Sequence, residues 1–137
     1  MTTQSTFREP AIRITAMPAD ANPAGDIFGG WLMAHMDMAA GIVAARRCKG
    51  RAATVAVEAM KFLQPVRVGD EVSVYADLVQ TGRTSMVIEV EAWRRDRTGH
   101  ERTRVTQARF VFVAIDAERR QRAIPPLEEH DLPSQSQ

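Results

Sequence analysis

Asp37 stands in a run that is otherwise almost wholly apolar, Trp31-Leu32-Met33-Ala34-His35-Met36-Asp37-Met38-Ala39-Ala40-Gly41-Ile42-Val43-Ala44-Ala45, and that run opens directly on Gly29-Gly30. A helix that is apolar all the way round belongs in an interior, where a lone carboxylate is costly unless it is paired or put to use. The glycines matter separately. At a helix start they place main-chain N–H groups without acceptors where the dipole favours negative charge. A carboxylate about two turns below an anion-stabilising helix tip points to acyl chemistry. The competing reading of Asp37 is a structural carboxylate held by neighbouring amides.

Other chemistry-bearing residues fit less well. His35 lies two positions from Asp37, so the two point to different helix faces and form no side-by-side dyad; a structural or interface histidine is the better reading. His100 falls in a turn and His130 in the tail, and no His/Cys/Asp spacing resembles a metal site. Cys48, the only cysteine, has no identifiable base partner and reads as packing. Met33, Met36 and Met38 read as core filler before an acyl channel. No phosphate-cradling glycine loop and no Gly-x-Ser-x-Gly elbow occurs, which leaves a serine-hydrolase route unsupported.

The elements that must position these residues follow from periodicity. Residues 11–17 alternate, with Ile12 and Ile14 on one face, and Pro18 stops the strand. Residues 19–26 are rich in turn formers. A helix is expected from Gly30 or Trp31 to Arg47; Arg46, Arg47 and Lys49 complement its negative end, and Gly50 is its expected stop. Gly41 inside it costs about 1 kcal/mol relative to Ala and suggests close packing against the backbone. Four strands follow. Residues 54–62 carry Val55 and Val57 on one face and Ala56, Met60 and Phe62 on the other; 71–80, 85–94 and 102–116 come next, joined by short turns that argue for antiparallel pairing. An apolar helix and one antiparallel sheet leave few packings. The expected class is α+β, the hotdog fold, with a curved sheet of about five strands wrapped round one long central helix, and an edge strand covered by dimerisation.

The whole chain, 137 residues with 45% hydrophobic and 26% charged side chains, is one domain's worth of an ordinary globular protein. The expected organisation is a flexible segment over 1–10, the domain over 11–126 and a polar tail over 127–137. A net charge of +1 gives no global argument for nucleic acid or an acidic membrane surface. The basic clusters at 94–97 and 118–122 read as solvated turns. One cysteine excludes an intrachain disulfide, and the first ten residues lack the apolar core of a signal peptide. The apolar helix, broken by His35 and Asp37, makes a poor membrane span. The cytoplasm is the expected location.

A family resemblance becomes specific once these motifs are set side by side. The run Met17-Pro18-Ala19-Asp20-Ala21-Asn22, then Gly25-Asp26-Ile27-Phe28-Gly29-Gly30-Trp31 and Met36-Asp37-Met38, resembles the YciA-type acyl-CoA thioesterases of the hotdog superfamily. Thr54-Val55-Ala56-Val57-Glu58-Ala59-Met60-Lys61-Phe62, Pro65-Val66, Val68-Gly69-Asp70, Gly82-Arg83 and Phe110-Val111-Phe112-Val113-Ala114 fit the same pattern, so the resemblance spans about Ile12 to Pro126. It implies hydrolysis of a coenzyme A thioester. Asp37 would act on water as a general base or on the thioester as a nucleophile, with amides around Gly29 and Gly30 stabilising the oxyanion. It also implies a site across a dimer interface, where Asp26 of one chain faces Asp37 of the other and Asn22 supports the Asp26 loop. Asp26 suits a helix N-cap or turn role equally well. Phe28, Trp31, Met60, Phe62, Arg83 and Ser85 are the expected substrate contacts, with Arg83 placed on the coenzyme A phosphates. Neither cofactor nor metal is expected, and the partners are acyl-CoA and further copies of the chain, a dimer at least and a hexamer as a trimer of dimers. Two other functions remain open: a hotdog dehydratase, which Phe28 in place of a histidine disfavours, and a non-catalytic acyl-CoA-binding module.

Overall fold

The computed structural model describes residues 8–128; His130 and the rest of the two ends, 1–7 and 129–137, lie outside the described residues. The long helix, α1 (Gly29–Cys48), begins at the first glycine of the pair. Its buried stripe is Leu32, Met36, Ala40, Ala44 and Cys48, successive four-residue steps along one face, with Ala39 beside them. The helix ends with Lys49, not Gly50, in the left-handed conformation (φ 55°), and both of their amides donate to the Ala45 carbonyl. Gly50 instead lies close to Arg122: a Cβ there would come 2.6 Å from its Nη2, so the guanidinium would have to shift. Gly41 meets only the Phe112 ring, at 3.8 Å from where its Cβ would stand, so the close backbone approach expected there is an ordinary contact.

Five strands form one antiparallel sheet: β1 (Ile12–Thr15), β2 (Ala52–Phe62), β3 (Glu71–Thr81), β4 (Ser85–Arg95) and β5 (Arg102–Ala114), in the spatial order β1-β3-β4-β5-β2. The inner face carries Val72 and Val74, then Met86, Ile88, Val90 and Ala92, then Phe110, Phe112 and Ala114, all buried against the helix stripe. A helix cradled by a five-stranded antiparallel sheet is the hotdog fold.

Two local features depart from strict periodicity. The β2 register slips between Thr54 and Ala56 and again between Glu58 and Lys61. Thr54 therefore pairs with Phe112, Val57 with Phe110 and Phe62 with Thr106, all inner-face partners, while Ala56 pairs with Val111 on the outside. Ala56 and Val57 thus exchange the faces that plain alternation assigns them, because each bulge inserts one unpaired residue and reverses the phase. The sheet also covers less of the helix than expected. Met33, Met38 and Ile42 are exposed on α1, as are Val55 and Val57 on the edge strand β2. Within one chain Met38 and Ile42, four positions apart, leave one face of the helix apolar and uncovered.

The basic clusters serve the fold. Arg94 approaches Asp70 and Asp96, and Arg95 pairs with Glu71. Arg122 donates to the carbonyls of Ile115 and Cys48, tying the chain beyond β5 to the helix end. No helix among the described residues is long and apolar enough to cross a membrane.

Candidate active site

The segment entering α1 is held before the helix begins. A single 3-10 turn, Pro18–Asp20, is closed by Met17 N–H donating to Asp20 Oδ2 (3.0 Å). Asn22 then organises the loop: its Oδ1 accepts from the amides of Ala24 (2.9 Å) and Asp26 (3.0 Å), and its own N–H donates to the Asp26 carbonyl. This is an Asx-type turn, completed by Gly25 at φ 95°. Beyond it, Ile27 N–H donates to the Val66 carbonyl and Phe28 N–H to the Asp20 carbonyl, while the main chain at Asp26 pairs antiparallel with that at Arg67 in an isolated β-bridge. Asn22 supports the loop, as the sequence suggested. Asp26 is not the N-cap; Phe28 occupies that position and its side chain cannot cap.

The consequence is a helix tip with free donors. The amides of Gly29 and Gly30 meet no acceptor among the described residues, because the capping position offers none. Gly29 opens on a cleft of about 360 Å³ lined by Asp26, Ile27, Leu32, Phe62, Pro65 and Val66, with Leu63 and Gln64 completing the wall. The cleft is apolar apart from Asp26 and Gln64, and the Phe62 ring rests directly on Gly29, two ring carbons lying 3.3 Å from where a Cβ would be.

Asp37 lies further along the helix, half-buried, and Thr54 Oγ1 donates to its Oδ1 at 2.6 Å. Gly29 and Asp37 are eight positions apart, about 12 Å along a helix axis. Trp31 and His35 form a T-shaped ring pair with centroids 4.4 Å apart. Burial lowers the His35 pKa below the ordinary histidine value, and the Asp20 carboxylate partly opposes that shift. His35 Nδ1 is buried with no hydrogen-bond partner.

Of the residues singled out in the sequence, the fold gathers Asp26, Gly29 and Phe62 round one cleft, with Asn22 behind it. Phe28 is exposed beside the helix start, and Trp31 and Met60 are half-buried against the core. Arg83 and Ser85 stand at the other end of the molecule. The neighbouring Thr84 carbonyl accepts from Ala114, which pairs with Ala52 just after the helix C-terminus, whereas Phe62 at the far end of β2 meets the helix N-terminus. Sequence reasoning missed Thr54 as the partner of Asp37. It also missed the Leu63-Gln64-Pro65 wall, whose position after the strand gives no spacing signal.

Comparison with known proteins agrees with this geometry. The family model described as the thioesterase superfamily matches residues 24–99. A Zymomonas mobilis protein named as an uncharacterized acyl-CoA thioester hydrolase is 54% identical over 124 residues, 90% of this chain and 83% of that one. The acyl-CoA thioester hydrolase YciA of Escherichia coli is 48% identical over 117 residues, 83% of this chain and 89% of that one. The crystal structure of a hexameric thioesterase from Yersinia pestis superposes with a TM-score of 0.83 at 46% identity, covering 86% of this chain and 96% of that one. The chain belongs to the thioesterase superfamily, as a member of its YciA-type acyl-CoA thioester hydrolase family.

Proposed function

We propose that this protein hydrolyses acyl-CoA thioesters to the free acid and coenzyme A. The observation that carries the reading is the pair of acceptor-less amides at Gly29 and Gly30, the first of them lining an apolar cleft, at the tip of the helix that bears Asp37. The names of the relatives support it. The thioester carbonyl accepts from these amides; one such donor is worth about 2.7–4 kcal/mol to the oxyanion where measured in another enzyme. Thr54 engages Oδ1 of Asp37 and leaves Oδ2 to take a proton from water. The water oxygen attacks the carbonyl carbon, and the carbon–sulfur bond then breaks to release the thiolate. Water, thioester and the chain's own groups suffice, with no cofactor or metal.

About 12 Å separates Gly29 from Asp37 in one helix, so a single chain does not bring both to one carbonyl. A two-fold pairing of helices across the exposed face of Met38 and Ile42 supplies the Gly29–Gly30 tip and Asp26 of a second copy to Asp37. The dimer is then the minimal active unit, and the hexameric state of the Yersinia pestis protein supports a trimer of dimers. In this assembly Phe28, Trp31, Met60 and Phe62 contact the acyl and pantetheine portions. Arg83 and Ser85 serve the phosphates from the opposite end, and Asn22 acts through Asp26. Cytoplasmic location belongs to the same reading, supported by the single Cys48.

Thiol release from a panel of acyl-CoAs tests the function. Asp37→Asn should lower kcat by about 10²–10⁴-fold while ligand binding persists, since size is kept and basicity lost. Near wild-type turnover from a folded Asn variant would refute the assignment, and binding without turnover by the wild type would favour a non-catalytic module.

A further inference from the structure

The chain beyond β5 doubles back on itself. Asp116 Oδ1 accepts from the amides of Glu118 and Arg120, both at 2.9 Å, and Arg119 takes a left-handed conformation (φ 67°) that closes the turn. The returning segment pairs Gln121 with Ile115 and then reaches the turn between β3 and β4. There Ile124 N–H donates to the Arg83 carbonyl (2.9 Å), and the Thr84 hydroxyl donates to Gln121 Oε1 (3.3 Å). On the same turn the Thr84 carbonyl accepts from Ala114 N–H and the Ser85 carbonyl from Gly82 N–H, both at 2.9 Å. The strap is itself moored on the helix end. Arg47 Nη1 donates to the Pro125 carbonyl (2.8 Å), and Arg122 Nη2 donates to that of Cys48 (3.0 Å). The main chain at Arg83 is therefore fixed, whereas its exposed guanidinium meets no acceptor among the described residues.

We propose that residues 121–125 are the positioning element for Arg83, setting affinity for the phosphate-bearing half of coenzyme A and leaving the thioester chemistry alone. The inference rests on the hydrolase reading above and on its assignment of Arg83 to the phosphates. A turn between strands is ordinarily mobile, and a long arginine loses rotamer freedom when it binds an anion. With the main chain already held, only the side chain remains to be ordered when a phosphate binds. The two ends of the substrate are then served by separate parts of the fold. Gly29, Gly30 and Asp37 act on the carbonyl, and a turn held down by the returning chain takes the phosphates. Ile124 is the joint: among the described residues its N–H alone links the main chain of the strap to Arg83, and its side chain packs against the core.

The test compares thiol release by the intact oligomer from butyryl-CoA and from S-butyryl-pantetheine, which carries the same thioester and no phosphate. Ile124→Pro removes the N–H and keeps an apolar side chain. It should raise KM for butyryl-CoA about 3–10-fold, the worth of one hydrogen bond, without changing kcat. KM for butyryl-pantetheine should stay at the wild-type value. Ile124→Ala, which keeps the N–H, should preserve the ratio of the two KM values. Arg47→Met, which unmoors Pro125, should shift KM for butyryl-CoA in the same direction as Ile124→Pro. Arg83→Ala should raise that KM at least as much, and adding Ile124→Pro to it should raise it no further, since both act through one guanidinium. An equal rise for the two substrates would make the strap merely structural and overturn the proposal. So would additive effects in the double variant, or an unchanged KM for butyryl-CoA in both Ile124→Pro and Arg47→Met. These outcomes leave the hydrolase reading intact; release of thiol from no acyl-CoA by the wild type would overturn both.

Discussion

The hydroxyl of Thr54 gives Asp37 a fixed partner at 2.6 Å, which orients the carboxylate. A hydrogen bond to a charged group is worth about 1.5–3 kcal/mol, so if it holds the carboxylate in its reactive orientation, Thr54→Val should lower kcat by about 10–150-fold. KM should change little, and Thr54→Ser should restore most of the rate. Circular dichroism would confirm that the Val variant folds, and unaltered kcat in that variant would remove Thr54 from the site. At this scale the sequence was informative where residue type is unusual for its surroundings. Asp37 in an apolar run and Gly29-Gly30 at a helix start are conspicuous for physical reasons, namely desolvation cost and orphan amides. Thr54 is not: threonine is ordinary in a strand, and only the register of β2 decides that it faces the helix.

The helix carries a second polar residue whose consequence is for stability. His35, in edge-to-face contact with Trp31 and with its Nδ1 buried, has its pKa lowered below the usual 6.5 by desolvation. A histidine depressed in the folded state binds protons less readily than in the unfolded chain. Its contribution is therefore complete above about pH 6.5 and is lost as pH falls towards the folded-state value. The urea midpoint should decline between pH 7 and pH 5, and His35→Gln should flatten that part of the profile. An identical slope in the two proteins would show that His35 is not responsible. Element type and order were legible in the sequence, because 3.6- and 2-residue periods follow from burial of one face. Boundaries shifted by at most two residues. The β2 bulges were not legible, since Val55, Ala56, Val57 and Ala59 are all compatible with either face. At the helix end the left-handed residue is Lys49 and not the neighbouring Gly50, against the local preference for glycine in that conformation.

Across the whole molecule the unbalanced feature is exposed apolar surface, Met38 and Ile42 on one helix face and Val55 and Val57 on the edge strand. Exposed apolar surface of this kind marks an interface, and an edge strand invites pairing. Ile42→Asp should therefore dissociate the assembly, visible by sedimentation velocity, and abolish thiol release together with it, because the helix tip and the carboxylate of one chain lie about 12 Å apart. A fully active monomer would contradict the shared site.

The amino-acid sequence alone determined the fold class and marked a carboxylate and a glycine pair as unusual for their surroundings, because these depend on local period and on the cost of burying charge. The tertiary structure decided what meets what: Thr54 on Asp37, Phe62 on Gly29, Arg83 at the far end. Those pairings depend on strand register, which a single inserted residue reverses and which no local preference encodes.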